Sequence, residues 1–564
     1  MNFERENSSS VSEKESESDE IQHSLGQHSL GQHSEGHVLN VRSQQDRTNE
    51  EVQKVSELLI PNHTVDATTV NFGVGKVTAD EEVYTVFNQR QKWFIILLVS
   101  FSAIVSPISG SIYLPALPTL SAEFKVTPSL INLTITTYQI FQGIAPSFIG
   151  NFSDIYGRRP AYIISFIIYI GANIGLALQS SYAGLMVLRC IQSSGSGVTI
   201  ALGSAVVSDL ITRAERGKFV GYSAMTITLG PALGPIVGGL LNQYLGWRSI
   251  FWFLTILSGV LFLLILTFLP ESCRNVVGNG SVPPPWWGVS GIGYFESHIS
   301  SKPGIEAAHH TINERRRRPN PFASLKVLRE KEGSITLGCG AILFAGYFAV
   351  LATLSEQLEN RFGFDSVKIG LCYLPVGVGS MCSRWLAGKL MDLNFRRHAK
   401  KLGLEIIKNK QQSIDDLPIE RIRLEVCLPF VYISCCTILA YGWVLERKSS
   451  LVGIEISLAF FGMFFSGASN VINTLIVDTH KESPATAVAA NNLFRCLLAA
   501  GATAIASPVI NGIGIGWTST LISAIWLVFS PLLWLVLFRG HKWRQEKAKK
   551  LLIKKPKKEK MPEV

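Results

Sequence analysis

The side chains best able to do chemistry are charged groups set among apolar ones. Asp154 stands in Gly150-Asn-Phe-Ser-Asp154-Ile-Tyr-Gly157-Arg158-Arg159, a short polar string between two long apolar runs. An acid, a glycine and two cations at that spacing suit a tight hairpin whose bases stay in a headgroup layer. The offsets recur at Gly388, Asp392, Arg396 and Arg397, with Phe395 where the first string has Gly157. A string repeated at the same point of both halves marks a duplicated plan. Halves related in this way, with a site between them, are typical of secondary transporters.

Three arginines, Arg189, Arg384 and Arg495, lie inside apolar runs. A cation at the centre of a bilayer-crossing helix costs about 2.5–3.5 kcal/mol, so each needs a reason. Arg384 stands near the end of its run and can snorkel, whereas Arg495 is deeper. For Arg189, in Arg189-Cys-Ile-Gln192, snorkelling or packing is one reason. Proton coupling is the other, because an arginine lowers the pKa of a nearby acid and moving it away promotes protonation. Acids are scarce: the first two runs contain none, and Glu356 and Glu455 are the nearest candidates. Tyr113, Tyr138, Gln139 and Gln142, with Arg495, offer aromatic faces and hydrogen-bonding groups for an amphipathic or cationic organic ligand. The same residues would equally make a packed polar helix interface. A last constellation is glycine-rich: Gly221, Gly230, Gly234-Pro235 and Gly238-Gly239 share one apolar run. Gly230, Gly234 and Gly238 recur every fourth residue, which clears one helical face for close approach, and Pro231 and Pro235 bend it.

These residues must be positioned by membrane-crossing helices. The chain has 564 residues, of which 47% are hydrophobic and 17% charged. The charge is concentrated between apolar runs of about 20 residues, each able to cross a hydrocarbon core of roughly 30 Å. Twelve such runs are predicted, six between Trp93 and Leu269 and six between Ser334 and Phe538. Lipid offers backbone groups no partners, so the fold class is all-α, a polytopic membrane protein of two six-helix bundles. The predicted divisions are a disordered tail over 1–86, bundles over 92–270 and 334–538, a central loop over 271–333, a charged loop over 393–424 and a basic tail over 539–564. Lys and Arg cluster on alternate loops, including Arg213, Arg216 and the run from Arg315 to Arg318, which places both termini in the cytosol. No secretory signal is expected before the first run, because the amino-terminal stretch is long and polar.

The net charge of +10 is therefore mainly a topology signal. The Lys-rich tail suits anionic inner-leaflet lipid rather than nucleic acid. Nine cysteines show no metal or disulfide spacing, and His23, His28, His33 and His37 lie in a repeat without a preformed site, so neither metal nor cofactor is expected. No Gly-x-x-x-x-Gly-Lys-Ser/Thr string occurs, which disfavours an ATP-driven pump, and no nucleophile and base arrangement suggests an enzyme.

The Asp154 string resembles the loop signature of the major facilitator superfamily. That resemblance implies that Asp154 helps lock the halves at the cytoplasmic face and that the arginine after Gly157, Arg158, pairs with an acid ending the fourth span, here Asp209. The Gly221–Gly239 string is similar to the antiporter signature of the superfamily's drug-exporting branches, and the Arg189 string to its proton-coupling motif. Thr136-Thr-Tyr-Gln-Ile-Phe-Gln-Gly, Gly370-Leu-Cys-Tyr-Leu-Pro and Asn491-Asn-Leu-Phe-Arg-Cys496 look like fungal twelve-span drug:proton antiporters, especially the quinidine-resistance group. The resemblance covers Trp93 to Phe538 and implies a monomeric plasma-membrane exporter that exchanges small organic molecules for protons. Alternatives within it are an organic-acid exporter of the citrate type and a sugar-type facilitator, which Pro270-Glu-Ser suggests. A transporter-like nutrient receptor is the most distant.

Overall fold

The computed structural model describes residues 85–211, 213–291, 330–403, 417–480 and 484–554. Among them every regular element is helical. The expected amino-terminal tail to residue 84, its histidine repeat and most of the central loop lie outside the described residues.

The first rod comprises α1 (Gln89–Ala103), α2 (Val105–Ser111), a 3-10 turn (Leu114–Ala116) and α3 (Leu117–Glu123). It is followed by α4 (Pro128–Tyr156), α5 (Arg158–Leu178), the paired α6 (Tyr182–Ser196) and α7 (Val198–Leu210), α8 (Arg213–Leu245) and α9 (Arg248–Phe268). A short α10 (Arg274–Val277) begins the central loop. The second half contains α11 (Lys331–Phe362), the paired α12 (Ser366–Cys372) and α13 (Leu374–Lys401), α14 (Ile419–Glu446), α15 (Leu451–Thr479) and α16 (Pro484–Lys554). At Gly514, φ +82° and ψ 164° interrupt α16, so it makes two rods and completes the six-plus-six arrangement. Glu446 stabilises that break by accepting from Ile515 N at 3.0 Å and Gly516 N at 3.3 Å. An acid at a new helix start meets unpaired N–H groups and the positive dipole end.

Local chemistry explains the other turns. Thr127, Ser181, Asp365 and Ser450 each accept a backbone N–H from the first turn of the helix they precede. Such caps satisfy donors that a helix start leaves open. All four stand at one end of the molecule, called here the far end. The opposite, basic-loop end carries Gly157, Glu271 and Ile419.

Among the described residues, eight helices are long and apolar enough to cross a membrane, with α16 counted once. The α4, α8 and α12–α13 rods are not among them. Helix α4 packs on α16, and α12 and α13 pack on α8, so these helices join the halves.

Candidate functional site

Three groupings of side chains could do mechanical or chemical work. At the basic-loop end, Gly157 adopts φ +117°, a conformation that ends α4 and lets α5 begin at the next residue. A Cβ there would lie 2.3 Å from a carboxylate oxygen of Glu271, so the glycine also makes room for an acid. Glu271 fills that space by accepting from Arg158 N at 2.8 Å, Arg159 N at 3.1 Å, Ser272 N at 2.9 Å and Cys273 N at 2.9 Å. It caps α5 and ties the end of α9 to it.

Around this point Arg158 pairs with Asp209 at 2.9 Å and Asp154 at 2.5 Å, and also donates to Ser153 Oγ at 2.7 Å. Arg159 turns the other way, donating to the carbonyls of Leu266 at 2.7 Å and Leu269 at 3.0 Å. Cys273, packed beside this cluster, has its thiol pushed up to about 11 by burial. The Asp154 side chain stays 55% exposed and pairs within its own half. Gly150 and Gly388 have open space beside them.

The second-half copy differs. Phe395 cannot supply the positive φ of Gly157, and α13 runs through the repeat to Lys401. Asp392, Arg396 and Arg397 are exposed on that helix. The ion pairs sit elsewhere: Arg423 meets Asp478 at 3.0 Å, and Arg544 meets the fully buried Glu420 at 2.9 Å.

The second grouping is the Arg189 nest. Arg189 is 0% exposed, its guanidinium lying 4.2 Å from the Tyr113 ring centroid and 4.3 Å from that of Tyr138. It donates to Gln192 Oε1 at 2.7 Å, and Gln192 donates to Asn173 Oδ1 at 2.7 Å. Among the described residues no carboxylate pairs with it. Cation–π contact and neutral acceptors therefore hold the charge. Tyr113, Tyr138 and Gln139 are buried inside the first bundle; Tyr113 bonds Thr134, and Tyr138 bonds Ser196.

The third grouping is the seam between halves. A Cβ added to Gly230 would meet Pro107 at 2.8 Å, one at Gly234 would meet Ser111 Oγ at 2.2 Å, and one at Gly238 would meet Ile112 O at 1.9 Å. The glycine face of α8 thus lies against the first rod at backbone distance. Gly239 faces the second half, with Ser366 O 2.4 Å from its notional Cβ. Pro235 O lies as close, 2.4 Å, to a Cβ added at Gly370. Side-chain surroundings at Gly221 lie outside the described residues.

Hydrogen bonds cross the seam from the far end to its middle: Asn242 to Ser366 at 2.7 Å, Ser355 to Leu114 O at 2.8 Å, Asn132 to Ser507 at 2.9 Å, Thr136 to Ala500 O at 3.2 Å and Asn492 to Gln142 O at 3.0 Å. Glu356 joins this set by accepting from Ser507 Oγ at 2.7 Å. Glu455 lies apart, its carboxylate oxygens buried near Cys372. Arg495 stands at the middle of the seam, over the Phe344 ring at 4.7 Å and donating to Asn492 at 2.9 Å.

The sequence signature of the Major Facilitator Superfamily matches residues 99–503. The chain belongs to the major facilitator superfamily. Among superfamily relatives, the MFS-type transporter clz19 of Cochliobolus lunatus is 43% identical over 90% of this chain and 93% of its own. Citrate exporter 1 of Aspergillus niger is 37% identical over 85% of this chain and 91% of its own. The solved structure of the xylose transporter XylE from E. coli, in a partially occluded inward-open conformation, matches with TM-score 0.56 and 15% identity. It covers 79% of this chain and 98% of that one. The human organic anion transporter MFSD10 matches with TM-score 0.52 at 17% identity, over 78% and 99% of the two chains. At these identities the two structures establish the shared fold. The protein is thus an integral membrane transporter of this superfamily, of the fungal type, and not an enzyme.

Sequence reasoning singled out Asp154, Arg158 and Asp209, which the structure brings together. It did not identify Glu271 as their partner, although Pro270-Glu271-Ser272 was visible as a string. The pairs Arg423–Asp478 and Glu420–Arg544 were also missed, since they join residues far apart in sequence. Their signal was positional: Asp478 ends α15 as Asp209 ends α7, and Arg423 opens α14 as Arg158 opens α5.

Proposed function

We propose that this protein exports small organic molecules in exchange for protons by alternating access, as a monomer in the plasma membrane with both termini cytosolic. The basic loops then mark the cytosolic side, and the hydrogen-bonded far end of the seam is the closed outer gate. The observation that carries the coupling is the chain Glu356–Ser507–Asn132, which connects an ionisable side chain to a contact between the halves. A carboxylate accepts from Ser507, which frees the serine oxygen to accept from Asn132. Protonating Glu356 removes the charge that favours this arrangement and loosens the outer gate, so an open outer gate and proton uptake from outside favour each other. The glycine face of α8 supports the same reading, because its backbone contact with the first rod makes the two move as one body. Asp154, free of the second half in this conformation, is available to close the cytosolic side when the outer gate opens.

Transport in proteoliposomes under an imposed proton gradient tests the proposal. Substrate movement should be concentrative and should carry protons the other way. Transport that ignores the gradient sinks it. Glu356→Gln should lower gradient-driven transport at least about tenfold while sparing substrate counterflow, which needs no net proton movement. Unchanged concentrative transport by that variant would remove Glu356 from the coupling. A second reading, export of an organic acid, is favoured by the 37% identity to Citrate exporter 1.

A further inference from the structure

Among the described residues, the seam contains a cation with no anion. Arg495 lies half-buried in the middle of α16's first rod. Phe344 covers one face of its guanidinium, Asn492 takes one N–H, and the buried Nε has no hydrogen-bond partner. No carboxylate pairs with it among the described residues. Glu356 stands twelve residues beyond Phe344 on α11, about 18 Å along a helix rising 1.5 Å per residue. Glu455 is ten residues from Phe465, whose ring lies 6.4 Å from Phe344, and so about 15 Å from this level. Neither acid reaches the guanidinium.

The surroundings are otherwise neutral and divided by chemistry. Amides lie on one side: Asn492 donates to the backbone carbonyl of Gln142 of the other half, and Asn491 donates to Asn473 at 2.6 Å. Rings lie on the other: Phe344 and Phe348 are 4.7 Å apart, and Tyr347 stacks on Phe465 at 4.1 Å. An uncompensated guanidinium in a low-dielectric site calls for an anion from elsewhere. With its carbon over the Phe344 ring and one N–H on Asn492, the guanidinium keeps terminal N–H groups free, and a planar guanidinium binds a carboxylate through two parallel bonds. Arg189 has no such opening, being fully enclosed by Tyr113 and Tyr138.

We infer that Arg495 is the anion subsite of the transport pathway and that the substrate class is a carboxylate with a flat aromatic or apolar body. The carboxylate takes the edge of Arg495, the body lies along Phe344 and Phe348, and the amide of Asn492 meets its remaining polar groups. This inference rests on the export reading for the direction of transport but not for binding.

Ligand-dependent thermal stabilisation of the purified full-length protein provides the test, using three probes on one ring body: 2-naphthoate, 2-naphthamide and 2-naphthylmethylammonium. Bound ligand raises the unfolding midpoint according to concentration over Kd. Naphthoate should bind about 10- to 100-fold more tightly than the neutral amide, and the cation should not bind. Arg495→Gln should bring naphthoate down to the level of the amide, and Arg495→Lys should keep part of the preference. Phe344→Leu should weaken naphthoate and amide together while leaving their ratio. The ligand-free midpoint of each variant is read first, and if the glutamine variant does not fold, the lysine and Phe344→Leu variants decide. Equal binding of naphthoate and amide, preference for the cation, or no naphthoate binding by the unaltered protein overturns the assignment. A transporter indifferent to the proton gradient leaves this result standing, and a cation preference leaves the coupling standing, so the two readings fail separately.

Discussion

The two halves start from one repeated string and resolve it differently. In the first, Gly157 breaks the chain between α4 and α5, and the carboxylate of Glu271 occupies the space that a side chain would need. In the second, Phe395 keeps α13 helical and leaves Arg396 and Arg397 exposed. The arginine–aspartate pair nevertheless survives in both. Arg158 at the start of α5 meets Asp209 at the end of α7, and Arg423 at the start of α14 meets Asp478 at the end of α15. The third connection exchanges its charges. Where the first half uses an acid after its last helix on the start of α5, the second uses a base, Arg544, on the buried Glu420 at the start of α14. The duplicated plan thus preserves which helix ends are tied together, while the ionic chemistry that ties them varies.

Breaking the third connection gives the largest expected effect. Arg544→Ala leaves a carboxylate at 0% exposure without its counterion, which should cost about 3–5 kcal/mol and lower the thermal midpoint of the detergent-solubilised protein. A midpoint within error of the unaltered protein would mean that Glu420 is protonated or otherwise compensated. Arg158→Ala should come next and close behind, since Asp209 is 9% exposed and loses its main partner. If instead Arg423→Ala proves the more damaging of the two pairs, the first-half loop is not the tighter tie. That pair is more open, at 17% and 23% exposure, so about 1–3 kcal/mol is expected.

Swapping the residue at the distinguishing position sharpens the contrast further. Gly157→Ala forces a side chain into φ +117° and against Glu271, for an expected loss of about 1–3 kcal/mol. Because the Phe395 ring packs on the core, the matching change is read as Phe395→Gly against Phe395→Ala, and that difference should be only about 1 kcal/mol, the ordinary penalty of glycine inside a helix. Comparable losses at the two positions would show that the turn at Gly157 is no special requirement. The smallest effect belongs to Arg396→Gln and Arg397→Gln, whose exposed side chains should leave the midpoint unchanged. Any fall in transport by those variants, with stability intact, would assign them a role in closing the cytosolic side.

The structure also separates motifs that look alike in sequence. Tyr113 and Tyr138 read as ligand-binding aromatics, yet they enclose Arg189 in the first bundle. Gln142, four residues from Tyr138, keeps its side chain in the same bundle by donating to Ser106 Oγ at 3.0 Å, and only its backbone carbonyl reaches the seam, where Asn492 donates to it. Helical periodicity places residues on a face but does not say which neighbour that face meets. The Gly230–Gly238 spacing was more informative, because clearing every fourth side chain has one main consequence, the close approach of another backbone.

What the sequence determined by itself was the class and plan of the molecule: helices long enough for a bilayer, two related halves, an Asp154 loop and a glycine face. Each follows from local composition and spacing, since lipid demands internally bonded backbones and glycine fixes how closely chains approach. Only the tertiary structure decided the partners. Glu271 beneath Gly157, Glu420 against Arg544, Glu356 joined through Ser507 to Asn132, and Arg495 without an acid are relations between distant stretches. The energy of a buried charge depends on which groups surround it in space, and chain order does not encode that neighbourhood.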